Sequence, residues 1–177
     1  MPKPTLTEIQ IRDLVTLVAQ YISEQRMSFL AGASSIERSH RTVLQSFFPA
    51  NLLDEVRVVQ GRANQPAFYG RLREMGITNL PPFSEMAGIT FLDVVVHCEP
   101  LARSLLFHEL VHAVQYKHLG LVGFAERYVR GFLSGGSYED IPLEKQAYEL
   151  EGRFANDPHK SFSVDADVRR RLKLQQL

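Results

Sequence analysis

The stretch LLFHELVHAVQYKHLG, residues 105–120, carries His108 and His112 four positions apart, with Glu109 directly after the first. Apolar residues recur in it at intervals of three and four, which predicts a buried α-helix that closes at Gly120, a favoured residue at helix ends. Residues i and i+4 lie on one face of a helix, so both imidazoles can reach one metal ion. Glu109 is turned by about 100° from His108 and can instead hold the attacking water.

Ordinary, partly buried histidines are the alternative interpretation of this pattern. The residues between and around the histidines are apolar, however: Leu105, Leu106, Leu110, Val111 and Val114. Two histidines in such a helix need polar partners to offset the cost of desolvation, and a shared zinc ion supplies one. The HExxH spacing therefore predicts a zinc site with Glu109 as the catalytic base.

The composition limits the class of protein. A chain of 177 residues is long enough for a single domain, 1–177, with its own core. Lys+Arg and Asp+Glu both number 20, so we expect neither nucleic acid nor a membrane as a partner. Cys98 is the only cysteine, which excludes an intramolecular disulfide and suits a reducing compartment. The first residues lack the pattern of a secretory leader and no run approaches about 18 apolar residues, so we expect a cytoplasmic protein.

Around the histidine helix, the sequence predicts a mainly helical α+β fold with a small mixed sheet. β-branched runs predict two strands, over residues 56–61 and 89–100. Amphipathic spacing and capping residues predict further helices. These cover 5–25, capped by Thr5 with Glu8; 34–49, capped at Ser34 or Ser35 and ended by Pro49; one or two turns within 67–75; 121–133; 140–156; and 167–177, whose three arginines are expected to form a solvated face. We divide the chain into an N-terminal helical part (1–50), a catalytic core (51–160) and a C-terminal tail (161–177).

A catalytic zinc ion needs a third protein ligand. His118 stands at the spacing of the metzincin motif HExxHxxGxxH, but Gln115 replaces the helix-breaking glycine, which predicts that His118 faces away from the metal. The other candidates are the downstream carboxylates Glu126, Glu139, Glu144, Glu149 and Glu151. Within IPLEKQAYELEGRF, residues 141–154, one helical stripe holds Glu144, Ala147, Tyr148 and Glu151.

From about residue 88 to residue 155 the chain resembles the gluzincin branch of the zincin metallopeptidases. HELVHAVQY, a glycine, FAERYVRGF and YEDIPLEKQAY are together similar to a group of bacterial zinc metallopeptidases. The resemblance implies a zincin-like core of an edge strand, an HExxH helix and a third-ligand helix. Glu144 with Ala147 matches the ExxA pattern, which implies Glu144 as the third zinc ligand, with Glu139 and Glu149 as the next candidates. Tyr148 departs from the family pattern, in which many relatives carry an aspartate that supports a histidine ligand.

The activity that this resemblance implies is peptide-bond hydrolysis at zinc, with His108, His112 and Glu144 as ligands. A peptide or protein substrate would lie along the edge strand GITFLDVVVH, residues 88–97. Tyr138 is a candidate donor to the oxyanion, with simple packing of a loop aromatic as the alternative. Two other functions stay open: a zincin-fold module that binds metal or a protein without turnover, and hydrolysis of a non-peptide amide or ester. Glu109 favours catalysis, because a closed structural site has no use for a base.

Overall fold

The computed structural model of the chain describes residues 6–98, 100–135 and 137–177. These residues form an α+β fold that is mainly helical, as predicted. The helices are α1 (Glu8–Leu30), α2 (Arg38–Leu44), α3 (Ala50–Glu55), α4 (Tyr69–Glu74), α5 (Arg103–Gly135), α6 (Pro142–Asn156) and α7 (Val164–Lys173). Two 3-10 turns are also present: Phe83–Glu85 precedes the strand Gly88–Phe91, and Tyr138–Asp140 precedes α6.

The sheet is small and mixed, which confirms the predicted class. Its strands are β1 (Ser34–Ser35), β2 (Arg57–Gln60), β3 (Gly88–Phe91) and β4 (Val94–His97), in the order β1-β2-β4-β3. β2 and β4 are parallel, whereas the other two pairs are antiparallel. β3 therefore has a free edge, and it lies against α5.

The prediction of one long strand over residues 89–100 is wrong, because the chain forms a β-hairpin there. Phe91 pairs with Val94, so Leu92 and Asp93 make a two-residue turn. Leu92 adopts a φ of 60°, a left-handed conformation for which glycine or asparagine is usual. Since leucine is not typical of this conformation, the sequence did not indicate where the hairpin reverses.

Two helix starts also differ from the predictions. Thr5 lies outside the described residues, and α1 is capped by Thr7 and Gln10, whose side chains hydrogen-bond reciprocally to each other's backbone N–H. The serines expected to cap the second helix instead pair with β2 as strand β1. α2 then begins at Arg38 without a side-chain cap, and Pro49 precedes the unpredicted helix α3.

Helix α5 carries the HExxH motif and is the centre of the fold. Its break falls at Gly120, where φ is 68° and ψ is 173°, so the predicted end of the first segment is confirmed and a second helical segment follows. Only glycine adopts this conformation readily. Residues 106–116 of the first segment are all buried, and α1, α6, α7 and β3 pack against α5.

The C-terminal tail forms α7, as predicted, but it is not simply an exposed helix. Val164 and Val168 are buried, and α7 contacts α5. The three arginines Arg169, Arg170 and Arg171 each pair with a nearby carboxylate. Within the described ranges, no helix has the length and apolar character that crossing a bilayer requires.

Candidate metal centre

The two motif histidines project from one face of α5 into the interior. His108 and His112 are 4% and 5% exposed, in a helix whose Leu106, Leu110 and Val111 are completely buried. The helix is held rigidly by this packing, so the two imidazoles have little freedom to move apart. Their ring centroids are 4.9 Å apart.

Glu144 reaches the same point from the first turn of α6. Pro142 begins this helix, and α6 approaches the second segment of α5 closely at Gly131. A Cβ atom on Gly131 would lie 2.7 Å from Cδ of Pro142, so a larger residue would push the start of α6 away. Ala147, one turn after Glu144, is completely buried. Small residues thus bring the Glu144 carboxylate to the two imidazoles.

The three ligand atoms have the spacing of a tetrahedral zinc site. Nε2 of His108 and Nε2 of His112 are 3.1 Å apart. Oε2 of Glu144 lies 3.4 Å from the first nitrogen and 3.3 Å from the second. Ligands bound tetrahedrally to zinc at 2.0–2.1 Å are separated by about 3.3 Å, the edge of that tetrahedron. His108, His112 and Glu144 are the one group in the described part of the chain that could hold a metal ion.

The electrostatics of this group are compatible with a bound cation. Oε2 of Glu144 is buried and has no hydrogen-bond partner among the described residues. Burial alone would raise the pKa of Glu144, but the two imidazoles reverse the effect and lower it. Burial would likewise lower the pKa of His108, which Glu144 and Glu151 raise instead. Two imidazole nitrogens and a carboxylate oxygen converge here, and a divalent ion that displaces their protons could bind all three at once.

The outer ring nitrogens are both engaged, which turns Nε2 of each histidine inward. Nδ1 of His108 lies 3.2 Å from Oε2 of Glu151, and the ring of Tyr148 packs against the same imidazole with a centroid distance of 4.5 Å. Glu151, and not the residue at position 148, therefore supplies a carboxylate beside His108. Such partners fix the tautomer and orientation of a ligand histidine.

His112 is oriented by a buried chain of side-chain amides. Oε1 of Gln115 lies 2.8 Å from Nδ1 of His112. Gln115 donates from Nε2 to the carbonyl of Leu143 and to Oε1 of Gln146, both at 3.0 Å. Gln146 in turn donates to Oδ1 of Asp167 on α7 at 2.9 Å. Because both glutamines are completely buried, no water can replace these bonds.

Glu109 lies beside the three-ligand group without belonging to it. It is 3% exposed, and the hydroxyl of Thr90 lies 2.7 Å from its Oε2. A Cβ atom on Gly88 would come within 2.9 Å of Oε1, so a glycine on β3 leaves room for the carboxylate. Burial raises the pKa of Glu109, whereas the two imidazoles and the hydrogen bond from Thr90 lower it. The effect of burial is the larger one, so the pKa of Glu109 is raised overall. A carboxylate with a raised pKa is suited to accept a proton near neutral pH.

A cavity opens in front of these groups and is called the site cavity below. Glu109, His112 and Glu144 line it, together with all four residues of β3. Tyr138 lines it too and also packs against the hydrophobic core. Burial raises the pKa of Tyr138 and the Glu144 carboxylate raises it further, so the hydroxyl remains a hydrogen-bond donor.

The other candidate ligands lie elsewhere. His118 pairs with Asp165 on α7 at 2.8 Å, in keeping with its predicted orientation. Glu126 and Glu149 form ion pairs with Arg130 and Arg171 respectively. Glu139 does not join the three-ligand group.

Sequence reasoning missed the residues that orient the ligands. The sequence predicts of Gln115 only that it replaces a helix-breaking glycine, and it assigns no role to Thr90. One signal was present, since Gln115 lies on an apolar helix one turn after His112, where a polar residue needs a partner. Nothing in the order of residues identified Gln146 or Asp167 as its continuation.

Comparison of the chain with protein-family models, with curated proteins and with solved structures finds no match.

Proposed function

We propose that the protein is a zinc-dependent hydrolase with a zincin-like core, and that it cleaves peptide bonds. The observation that carries this proposal is the buried group of His108, His112 and Glu144, whose ligand atoms have zinc spacing and whose Oε2 lacks a partner. One imidazole pair and one carboxylate leave a fourth position open, as catalytic rather than structural zinc sites do.

A zinc ion held by these residues would lower the pKa of water towards about 7 and polarise a carbonyl group. Glu109 is the residue that accepts the proton from the attacking water and passes it to the leaving amine. Thr90 holds the carboxylate in position from the neighbouring strand. Tyr138, protonated and on the cavity wall, is the candidate donor to the developing oxyanion.

Strand β3 is the candidate binding edge for an extended substrate. Its outer edge is free, and Gly88, Ile89, Thr90 and Phe91 all line the site cavity. A peptide paired with this edge would pass directly in front of Glu109. The hairpin shortens the predicted edge to four residues, so few backbone hydrogen bonds are available and side-chain pockets must supply part of the affinity. With one cysteine in the chain, a reducing compartment such as the cytoplasm fits this activity.

Metal analysis combined with a cleavage assay tests the proposal. The purified protein, Glu109→Gln and the surface control Glu149→Gln are dialysed against zinc, assayed for bound metal and incubated with a fluorogenic peptide library. We expect one zinc ion per chain in all three proteins and cleavage by wild type and the control. Glu109→Gln should retain zinc and lose at least about 100-fold in rate. Zinc binding with no cleavage by any of them would favour the non-catalytic module, and cleavage that survives Glu109→Gln would remove the proposed base.

A further inference from the structure

The site cavity is too small for the substrate that the proposed function requires. It has room for about 40 Å³, which is enough for about three water molecules. Cavities that take small organic ligands measure about 300–1,000 Å³. Glu109, His112 and Glu144 on the cavity wall are all buried. A peptide carbonyl can therefore reach the ligand atoms only after part of this wall has moved.

Most of the cavity wall belongs to elements that are difficult to move. The wall includes residues of α1, α5 and α6, which are long helices, and α5 packs against both of the others. Strand β3 is paired with β4 along its whole length. The turn Tyr138–Asp140 packs on both α5 and α6. Displacing any of these elements would break regular structure or expose core side chains.

One wall element differs, namely the segment of residues 78–86 between α4 and β3, called the cover segment below. Phe83 and Met86 from this segment line the site cavity. Its one piece of regular structure is the 3-10 turn Phe83–Glu85, whose backbone packs closely on no helix or strand of the described chain. The cover segment can therefore move without breaking a helix or the sheet.

Side-chain contacts hold the cover segment over the cavity. The ring of Phe83 stacks on the ring of Tyr21 in α1, with a centroid distance of 5.8 Å and an interplanar angle of 12°. The hydroxyl of Tyr69 donates to the carbonyl of Pro81 at 3.1 Å. Phe83 is itself only partly buried, so its ring lies between the solvent and the cavity. Aromatic contacts of this kind are weak enough to open and close reversibly.

We propose that the cover segment is a lid over the metal ligands, which opens when the ring of Phe83 leaves the ring of Tyr21. The inference rests on the proposed function, because only a ligand larger than a few water molecules needs the lid to open. The closed form keeps peptides away from Glu109 and the metal ligands. The open form admits an extended substrate at the free edge of β3, so lid opening limits how fast substrate enters.

Binding kinetics of the cobalt(II)-substituted protein test the lid without requiring turnover. Cobalt(II) takes the place of zinc, and its visible spectrum changes when a new ligand binds. Azide is small enough for the closed cavity, whereas benzohydroxamic acid is not. In stopped-flow mixing we expect the rate of azide binding to rise linearly with concentration. The rate of benzohydroxamate binding should instead reach a plateau, which is the rate of lid opening.

The variants separate the lid from general destabilisation. Phe83→Ala should raise the plateau for benzohydroxamate at least about tenfold and leave azide binding unchanged, because the ring contacts that close the lid are lost. If this variant does not fold, Phe83→Leu takes its place and should give a smaller increase. Phe162→Ala is the matched control, because it removes a partly buried ring that packs on Phe47 and lies outside the site cavity. Both of its rates should equal those of wild type.

The outcomes distinguish the lid from the metal site and from the proposed reaction. Benzohydroxamate binding without a plateau, or a plateau that the Phe83 variant leaves unchanged, would overturn the lid and leave the metal site intact. A protein that takes up no cobalt would overturn the metal site, and the lid assignment with it. The expected kinetics without any peptide cleavage would support the lid and count against peptide hydrolysis.

Discussion

Replacing Gln115 by leucine tests whether the buried amide chain serves the metal site. Leucine keeps the apolar volume of the side chain but removes the acceptor 2.8 Å from Nδ1 of His112. In the metal-bound protein Nε2 faces the ion, so the proton must sit on Nδ1 and would then be buried without a partner. In the metal-free protein the imidazole can move its proton to Nε2 and avoid this cost. This part of the loss therefore appears as weaker metal binding, whereas the buried acceptors on Leu143 and Gln146 lose their donor in both forms and lower the stability of each.

The size of the effect follows from the burial of Gln115, whose side chain is 0% exposed. Leaving one buried donor unpaired costs about 1–3 kcal/mol, which corresponds to about a 5- to 150-fold loss of zinc affinity. Changes around ligand histidines usually cost about 10- to 100-fold, in the same range. Gln146→Leu, one step further out, should cost less than about tenfold, because Gln115 keeps its bond to the carbonyl of Leu143.

Competition titration against a chromophoric zinc chelator gives the affinities of wild type and both variants, and circular dichroism verifies that each is folded. The expected order is wild type, then Gln146→Leu, then Gln115→Leu as the weakest. Zinc affinity of Gln115→Leu equal to that of wild type would refute the argument that this chain orients His112.

Two further predictions concern the strand hairpin. Gly88→Ala should reduce peptide turnover and leave zinc affinity unchanged, because the new Cβ atom would lie 2.9 Å from Oε1 of Glu109. Gly70→Ala, which adds a Cβ atom in open space, is the matched control. Unchanged turnover in Gly88→Ala would contradict the account. In the wild-type protein, the ion pair with Arg26 lowers the pKa of Asp93, whereas burial raises it. Asp93→Asn removes this ion pair. Because the pair is partly exposed, its loss should reduce the free energy of unfolding by about 0.5–1 kcal/mol near pH 7. The stabilisation by this ion pair is present above the ordinary pKa of 3.8 and is lost as the pH falls through the lowered pKa of Asp93. In strong acid, urea unfolding of the wild-type protein and of Asp93→Asn should therefore show the same stability. A difference that persists in strong acid would argue against the ion pair.

The helical part of the site could be predicted from the sequence, because helix geometry is local. A spacing of four places two histidines on one face whatever surrounds them, and His108 and His112 do meet. The break at Gly120 and the start of α6 at Pro142 were likewise signalled by residues with restricted or unusual backbone preferences. Local signals therefore located the two ligand helices.

The contacts between elements could not be predicted in this way. Spacing alone left five carboxylates open as third ligand, and only the resemblance singled out Glu144, because the choice depends on how α6 packs on α5. The hairpin was missed because Leu92 carries a left-handed conformation without a glycine. Glu151 reaches His108, and Gln146 reaches Gln115, only because α6 is rotated about its axis by a particular angle. Amphipathic spacing predicts this angle too coarsely to identify such contacts.

An anomalous difference map at the zinc absorption edge, from crystals of the zinc-loaded protein, tests the central claim most directly. The account predicts one peak enclosed by Nε2 of His108, Nε2 of His112 and Oε2 of Glu144, with Glu109 beside it and outside the coordination shell. A zinc ion held elsewhere, for example by His118 and Asp165, or no peak in this group at full zinc occupancy of the protein, would contradict it.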